Sequence, residues 1–186
     1  MRLAAIVVAL AALTSGCGQD DDASSGPAFD VPAGVTLADP GTEKAVGESL
    51  TVAYPDDSAS ATALALTVAS VTPAKDGDLA LYSVTGADGA QPYYVRVSTV
   101  NRGPAVADFA DGSGWWLHVS GDTLVPPTTA PAGFTPCPPA AVTAPLAAAQ
   151  ERSACLLFFA PAGTTVRTVD FQPGDVTTAV RWTLEK

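Results

Sequence analysis

Tyr93 to Val100, Tyr-Tyr-Val-Arg-Val-Ser-Thr-Val, alternates its side chains in a period of two and then runs into Asn101-Arg102-Gly103-Pro104. Successive residues of a β-strand point to opposite faces, so Tyr93, Val95 and Val97 share one face and Tyr94, Arg96 and Ser98 the other. Gly and Pro break a ladder and Asn tolerates turn geometry, so the strand ends there. A strand with one apolar face needs partners, and the chain supplies them at short intervals. Ser49–Tyr54, Ala61–Thr72, Leu79–Val84, Trp115–Ser120, Cys155–Phe159, Val166–Phe171 and Thr178–Leu184 read as strands, and Thr123–Val125 is placed to pair back after the Gly121-Asp122 turn. The alanines of Ala61–Thr72 would suit a helix, but it has no N-cap or charged face. Asp76-Gly77-Asp78 and Gly86 to Gly89 bound the Leu79–Val84 segment. Pro126 to Pro145 is too rich in proline for a central strand and reads as a meandering loop. Leu146–Arg152 reads as one short helical turn. Seven or eight short strands at this spacing predict an all-β fold, an antiparallel immunoglobulin-like sandwich.

With 186 residues, of which 47% are hydrophobic, the chain can build one core of ordinary size. That excludes a disordered acidic chain. Nine Lys and Arg against 19 Asp and Glu, a formal charge of −10, exclude a basic nucleic-acid binder. The acidity is uneven. Cys17 to Ser60 holds nine acids and one Lys, a net of −8, whereas Ala61 to Lys186 holds ten acids and seven cations, a net of −3. The expected organisation is a signal peptide over 1–16, an acidic flexible, disordered tether over 17–44 and a β-domain over 45–186. A self-repelling tether with scattered prolines stays extended.

At the N-terminus, Arg2 precedes the apolar run Leu3–Leu13. Eleven residues are too few to span a bilayer, which takes about 20 as a helix, and the pattern reads as a secretory signal. Leu13-Thr14-Ser15-Gly16-Cys17 resembles a bacterial lipobox, with Thr14 where Leu is commonest. The resemblance implies lipidation of Cys17, a membrane as partner, and a position on the extracytoplasmic side. The alternative is a plain secretory signal with Cys17 free. Three Cys is an odd count, and lipidation would leave Cys137 and Cys155 to pair. Closing a loop of 18 residues is worth about 3 kcal/mol in the chain-entropy model. Two free thiols or a metal pair are the alternatives, although two Cys alone do not complete a tetrahedral site.

The order Val46-Gly47-Glu48-Ser49-Leu50-Thr51-Val52, then Tyr93 to Gly103, then a Cys-bearing loop, then Cys155 to Gly163 is similar to the telokin-like, immunoglobulin-like domains on bacterial lipoproteins. Tyr94 to Val97 with Asn101 to Gly103 match one motif of that family, and Leu157 to Gly163 match a second. The resemblance covers about Ala45 to Lys186. It implies the fold and an extracytoplasmic location, and it carries over no catalytic residue.

His118 is the only histidine, in His118-x-Ser120-x-Asp122. On a strand these three would lie in a row on one face, and a triad needs its base between nucleophile and orienter. No Gly-x-Ser-x-Gly elbow surrounds Ser120. No catalytic residue is assigned, and His118 is expected to face solvent beside Trp116. One His and no Met in the mature chain leave too few ligands for copper or zinc. Asp76-Gly77-Asp78 and Asp108 to Asp111 are the calcium candidates, but neither has EF-hand spacing and Asp-Gly is ordinary turn chemistry. Gly112-Ser113-Gly114 lacks the Lys and helix of a phosphate loop. The expectation is therefore no metal and no cofactor. Trp115 and Trp182 are expected in the core. Tyr94, Trp116 and His118, with Tyr82, are the candidate binding surface. The competing reading is that the Pro-rich loop covers these aromatics. The expected function is a non-enzymatic binding or envelope-interaction module whose partner is an envelope protein or small ligand. A small-ligand or calcium carrier and a hydrolase are the alternatives.

Overall fold

The alternating segment folds as β4 (Gln91–Asn101), flanked in one sheet by β3 (Thr62–Pro73) and β7 (Glu151–Ala160). Strand β2 (Ser49–Tyr54) completes this sheet on the far side of β3, so its order is β2-β3-β4-β7. A second sheet, in the order β1-β9-β8-β5-β6, is built from β1 (Glu43–Ala45), β5 (Trp115–Val119), β6 (Thr123–Val125), β8 (Val166–Phe171) and β9 (Val180–Thr183). The computed structural model describes residues 29–55, 61–80, 82, 89–108, 110, 112–139, 145–172, 174 and 176–184. The signal segment, Cys17 and the start of the tether lie outside the described residues. Among those described, no helix is long and apolar enough to cross a membrane.

The two sheets face each other through the side chains that the period of two predicts. Val95 and Val97 of β4, Leu64, Leu66 and Val68 of β3, and Leu156 and Phe158 of β7 meet the inward residues of β5, β8 and β9. Trp115 and Trp182 lie at the centre, fully buried. Trp115 packs 4.9 Å from Phe171 and 5.5 Å from Trp182 between ring centroids, and Trp182 Nε1 donates to the Glu48 carbonyl at 2.9 Å. Strand β4 pairs with β7 in one sheet while β5 pairs with β8 in the other. The chain crosses between sheets after β1, β4, β6 and β7, the last three giving the Greek-key wiring of an immunoglobulin-like sandwich with its buried Trp on β5.

The edge of the five-stranded sheet departs from the expectation. Strand β1 pairs with β9 in parallel, Glu43 opposite Arg181. Ala38 N–H donates to the Thr51 carbonyl at 2.7 Å, Gly41 N–H to Ala179 at 2.8 Å, and Ala38 packs on the core. The boundary expected between residues 44 and 45 thus falls inside β1. A three-residue strand, Glu-Lys-Ala, is too short to show a period. Its place is set by main-chain bonds to β9.

Two further segments differ from their sequence reading. Where a strand was expected over Leu79–Val84, residues 76–80 form turns, with Ala80 N–H bonded to Gly77 and Tyr82 N–H to Leu79. The Asp-Gly chemistry that was to bound the strand instead extends into it; residues 81 and 83–88 lie outside the described residues. Residues 148–149 form a turn, as the Leu146–Arg152 reading requires, but it is not helical, and Glu151 and Arg152 already belong to β7.

The corner after β4 is a fully used hydrogen-bond node. Asn101 is buried, and its Oδ1 accepts from Thr62 Oγ1 at 2.8 Å and from Gly103 N at 3.0 Å. Its Nδ2 donates to the carbonyls of Ala105 at 2.7 Å and Leu146 at 2.9 Å. A Cβ at Gly103 would lie 2.1 Å from Thr62 Oγ1 and 2.6 Å from Ala63 N, so only glycine fits there.

Candidate binding face

Because Val169 and Phe171 of β8 point into the core, Asp170 between them points out of the sandwich. Trp116 of β5 lies directly opposite it on one side and Arg181 of β9 on the other. One row along, His118 of β5 faces Thr168 of β8. These side chains close over the carboxylate so completely that Asp170 is only 2% exposed, although it sits on an outer face. A buried charge is expensive unless it is paired and hydrogen-bonded. Here it is both. Thr168 Oγ1 donates to Asp170 Oδ1, Arg181 Nε donates to Oδ2 at 3.3 Å, and His118 Nδ1 lies 3.6 Å from Oδ2. Arg181 also reaches Glu43 on β1, with Nη1 3.8 Å from Oε1.

The carboxylate therefore acts as a positioning group for its neighbours. The side chain of His118 is 20% exposed, with Nδ1 turned toward Asp170. Its Nε2 is buried and has no hydrogen-bond partner among the described residues. The nearest charge to it is Asp122 Oδ1 at 3.7 Å, on a turn residue that is 89% exposed and held at a φ of 54°. Arg167 Nη1 lies 3.6 Å from the same oxygen. Trp116 is half-buried beside this group. The face thus offers part of an indole, a partly exposed imidazole and two guanidinium groups.

The string His118-x-Ser120-x-Asp122 does not form a relay. Ser120 Oγ accepts from Thr165 N–H at 3.1 Å, and Asp122 approaches the nitrogen that a nucleophile would need. The acid that orients His118 comes from another strand.

Tyr94 is separated from Trp116 and His118 by the thickness of the sandwich and does not share their face. It points out of the four-stranded sheet and is buried beneath residues 126–139. That Pro-rich segment bridges to β7 through Thr128 and Leu157, then lays Ala130, Phe134 and Cys137 over Tyr94, Cys155, Leu157 and Phe159. Phe134 is 1% exposed, with Tyr82 edge-on at 5.2 Å and Tyr94 tilted at 5.8 Å. Tyr82 OH donates to the Gly133 carbonyl at 3.2 Å. Cys137 and Cys155 form a disulfide, Cα atoms 5.3 Å apart. The phenol of Tyr94 donates to Asp78 Oδ2 at 3.0 Å, and burial, that bond and the Asp78 charge push its pKa up to about 12. Tyr94 therefore leaves the candidate surface: alternation tells which face a residue takes, not what covers it.

Among the described residues, no three His, Cys, Asp or Glu are grouped to hold a metal ion. Asp78 is engaged by Lys75 N–H and Tyr94 OH, Asp108 is exposed, and Asp111 lies outside the described residues. The residues that sequence reasoning passed over are Thr168, Asp170 and Arg181. A signal for them existed. Asp170 in Val-Asp-Phe and Arg181 in Val-Arg-Trp are opposite charges at outward positions of neighbouring strands.

No family model and no curated protein matches this chain. Solved structures resemble it in fold. The secreted protein MPT63 of Mycobacterium tuberculosis is 12% identical over 77% of this chain and 97% of its own, with a TM-score of 0.55. The yjhA protein of Bacillus subtilis is 15% identical over 76% of this chain and 99% of its own, with a TM-score of 0.54. At such identities the likeness is one of fold, a β-sandwich.

Proposed function

We propose that this chain is an exported, lipid-tethered immunoglobulin-like module that binds a partner through the Trp116–His118 face rather than catalysing a reaction. The observation that carries the reading is the buried Asp170, whose desolvation is compensated only by holding His118, Thr168 and Arg181 in fixed positions on an outer surface. Such preorganisation lowers the ordering cost of binding. Half-buried Trp and Arg are the side chains most enriched among interface anchors. Export is supported by the apolar N-terminal run, the lipobox-like Leu13–Cys17 and the Cys137–Cys155 disulfide, which belongs to an oxidising compartment. The secreted neighbour MPT63 is in keeping with it. The lipobox-like string makes Cys17 the acylated residue, and the telokin-like resemblance adds the extracytoplasmic location.

The tether is tested by fractionation: the chain partitions with membranes and Cys17→Ala releases it. Unchanged partitioning of Cys17→Ala would refute the anchor. One observation favours a hydrolase instead, namely His118 beside a carboxylate from another strand. A fluorophosphonate probe separates the two readings. The binding module is left unlabelled, whereas labelling that disappears in His118→Ala would make the chain an enzyme.

A further inference from the structure

We propose that the Cys137–Cys155 disulfide is a redox-addressable latch that holds the Pro-rich segment 126–139 closed over an apolar face of the four-stranded sheet. Three observations converge on it. First, the residues under this segment form a cluster of their own, Tyr94, Ala130, Phe134, Cys137, Cys155, Leu157 and Phe159, separate from the core between the sheets. The segment can therefore lift without opening that core, as a local unfolding unit does. Second, a groove of about 380 Å³ reaches Cys155 from outside, lined by Arg96, Ser98, Pro138, Pro139, Ser153 and Cys155 among others. Cys155 lines it, while Cys137 is fully buried. Third, Arg96 stands directly opposite Cys155 across the β4–β7 ladder, and its Nη2 donates to the Pro136 carbonyl at 3.1 Å, one residue from Cys137. Cross-strand partners share a face, so the guanidinium lies on the side of the sheet that carries the disulfide, and a nearby cation favours the thiolate as leaving group.

The step balances as thiol–disulfide exchange. A thiolate of an external dithiol enters the groove and attacks Cys155 Sγ. The Cys137–Cys155 bond breaks, and its electron pair leaves on Cys137 Sγ as a thiolate, one residue from the carbonyl that Arg96 holds. The second thiol of the reagent then displaces Cys155 from the mixed disulfide. Two electrons and two protons pass from the dithiol, which ends as a disulfide, to the two protein thiols. With the latch open, the segment is held among the described residues by the Arg96, Tyr82 and Thr128 hydrogen bonds and the burial of Phe134 and Ala130. Lifting it brings Tyr94, Leu157 and Phe159 into solvent.

The test uses the full chain carrying Cys17→Ala, so that only Cys137 and Cys155 report. Dithiothreitol is added under native conditions, and chymotrypsin cleavage after Phe134 is followed together with the fluorescence of the buried Trp115 and Trp182. Cleavage after Phe134 rises by about tenfold or more on reduction, and the tryptophan spectrum is unchanged. Both thiols titrating while Phe134 stays protected, or thiols appearing only as the tryptophans become exposed, would overturn the latch. The part of Arg96 is read separately from the pH dependence of Cys137 alkylation in the reduced protein. Arg96→Gln moves the midpoint up by about one pH unit and Arg96→Lys restores it. An unmoved midpoint removes Arg96 from the proposal.

Discussion

The two outer faces of this sandwich solve opposite problems. The four-stranded sheet turns Tyr94, Leu157 and Phe159 outward, an apolar surface that a lone sheet would leave in water, and the chain covers it with its own Pro-rich segment and a disulfide. The five-stranded sheet turns a carboxylate outward and covers it with Trp116, His118, Thr168 and Arg181, which keep part of their surface in solvent. One face is closed by hydrophobic burial, the other is left open and rigid by a charge network. The difference lies in what each face leaves in solvent: side chains held by a charge network on one, the outer surface of a covering segment on the other.

The contrast can be broken from either side. The largest effect is expected at Phe134→Ala, which empties the centre of the covered face. A buried Phe truncated to Ala costs about 3 kcal/mol or more, read by denaturant unfolding, and the loss should appear first as protease sensitivity of residues 126–139. Next comes Asp170→Asn. It leaves Arg181 and His118 without their anion and should cost about 2 kcal/mol, with broadened His118 resonances as the local signature. The same substitution leaves Phe134 as protected as before if the two faces are independent.

Tyr94 gives a smaller, pH-dependent effect confined to the covered face. The folded state holds the phenolic proton more tightly than the unfolded chain, with a pKa of about 12 against 10.0. Its contribution to stability is therefore complete below pH 10 and is lost as the pH rises from 10 through about 12. Tyr94→Phe flattens this part of the stability profile. A residual slope of the same sign persists from Tyr54, whose phenol is also raised, by burial foremost, with a hydrogen bond from Ser113 opposing and the charge of Asp108 adding. The smallest effect on stability is Trp116→Ala, below about 1 kcal/mol, because the open face owes its order to Asp170 rather than to the indole. A large destabilisation would move Trp116 from the binding surface to the scaffold.

Much of this contrast is legible in the residues. The alternation of Tyr93–Val100, of Trp115–Val119 and of Val180–Trp182 places both core tryptophans and fixes the sandwich, because a half-buried strand writes its environment at every second position. Strand β1 is not legible, since three residues carry no period. Leu79–Val84 misleads because its apolar residues are consistent with a strand, whereas the described residues from Asp76 to Ala80 follow turn chemistry that is set locally. The open face is half legible. Trp116 and His118 announce themselves by type, but the carboxylate that organises them is one of 19 acids and is singled out only by register with Arg181. Register between distant segments is a tertiary fact. The burial of Tyr94 is tertiary too, because it depends on where a proline-rich loop lands.

The contrast between the two faces is tested by photo-crosslinking in intact cells, with a benzoylphenylalanine replacing Trp116 on the open face or, in a second strain, Tyr94 on the covered one. A discrete adduct is expected from position 116 and none from position 94 while the disulfide is intact. An adduct from position 94 with none from position 116 would contradict the assignment of the open face as the binding surface.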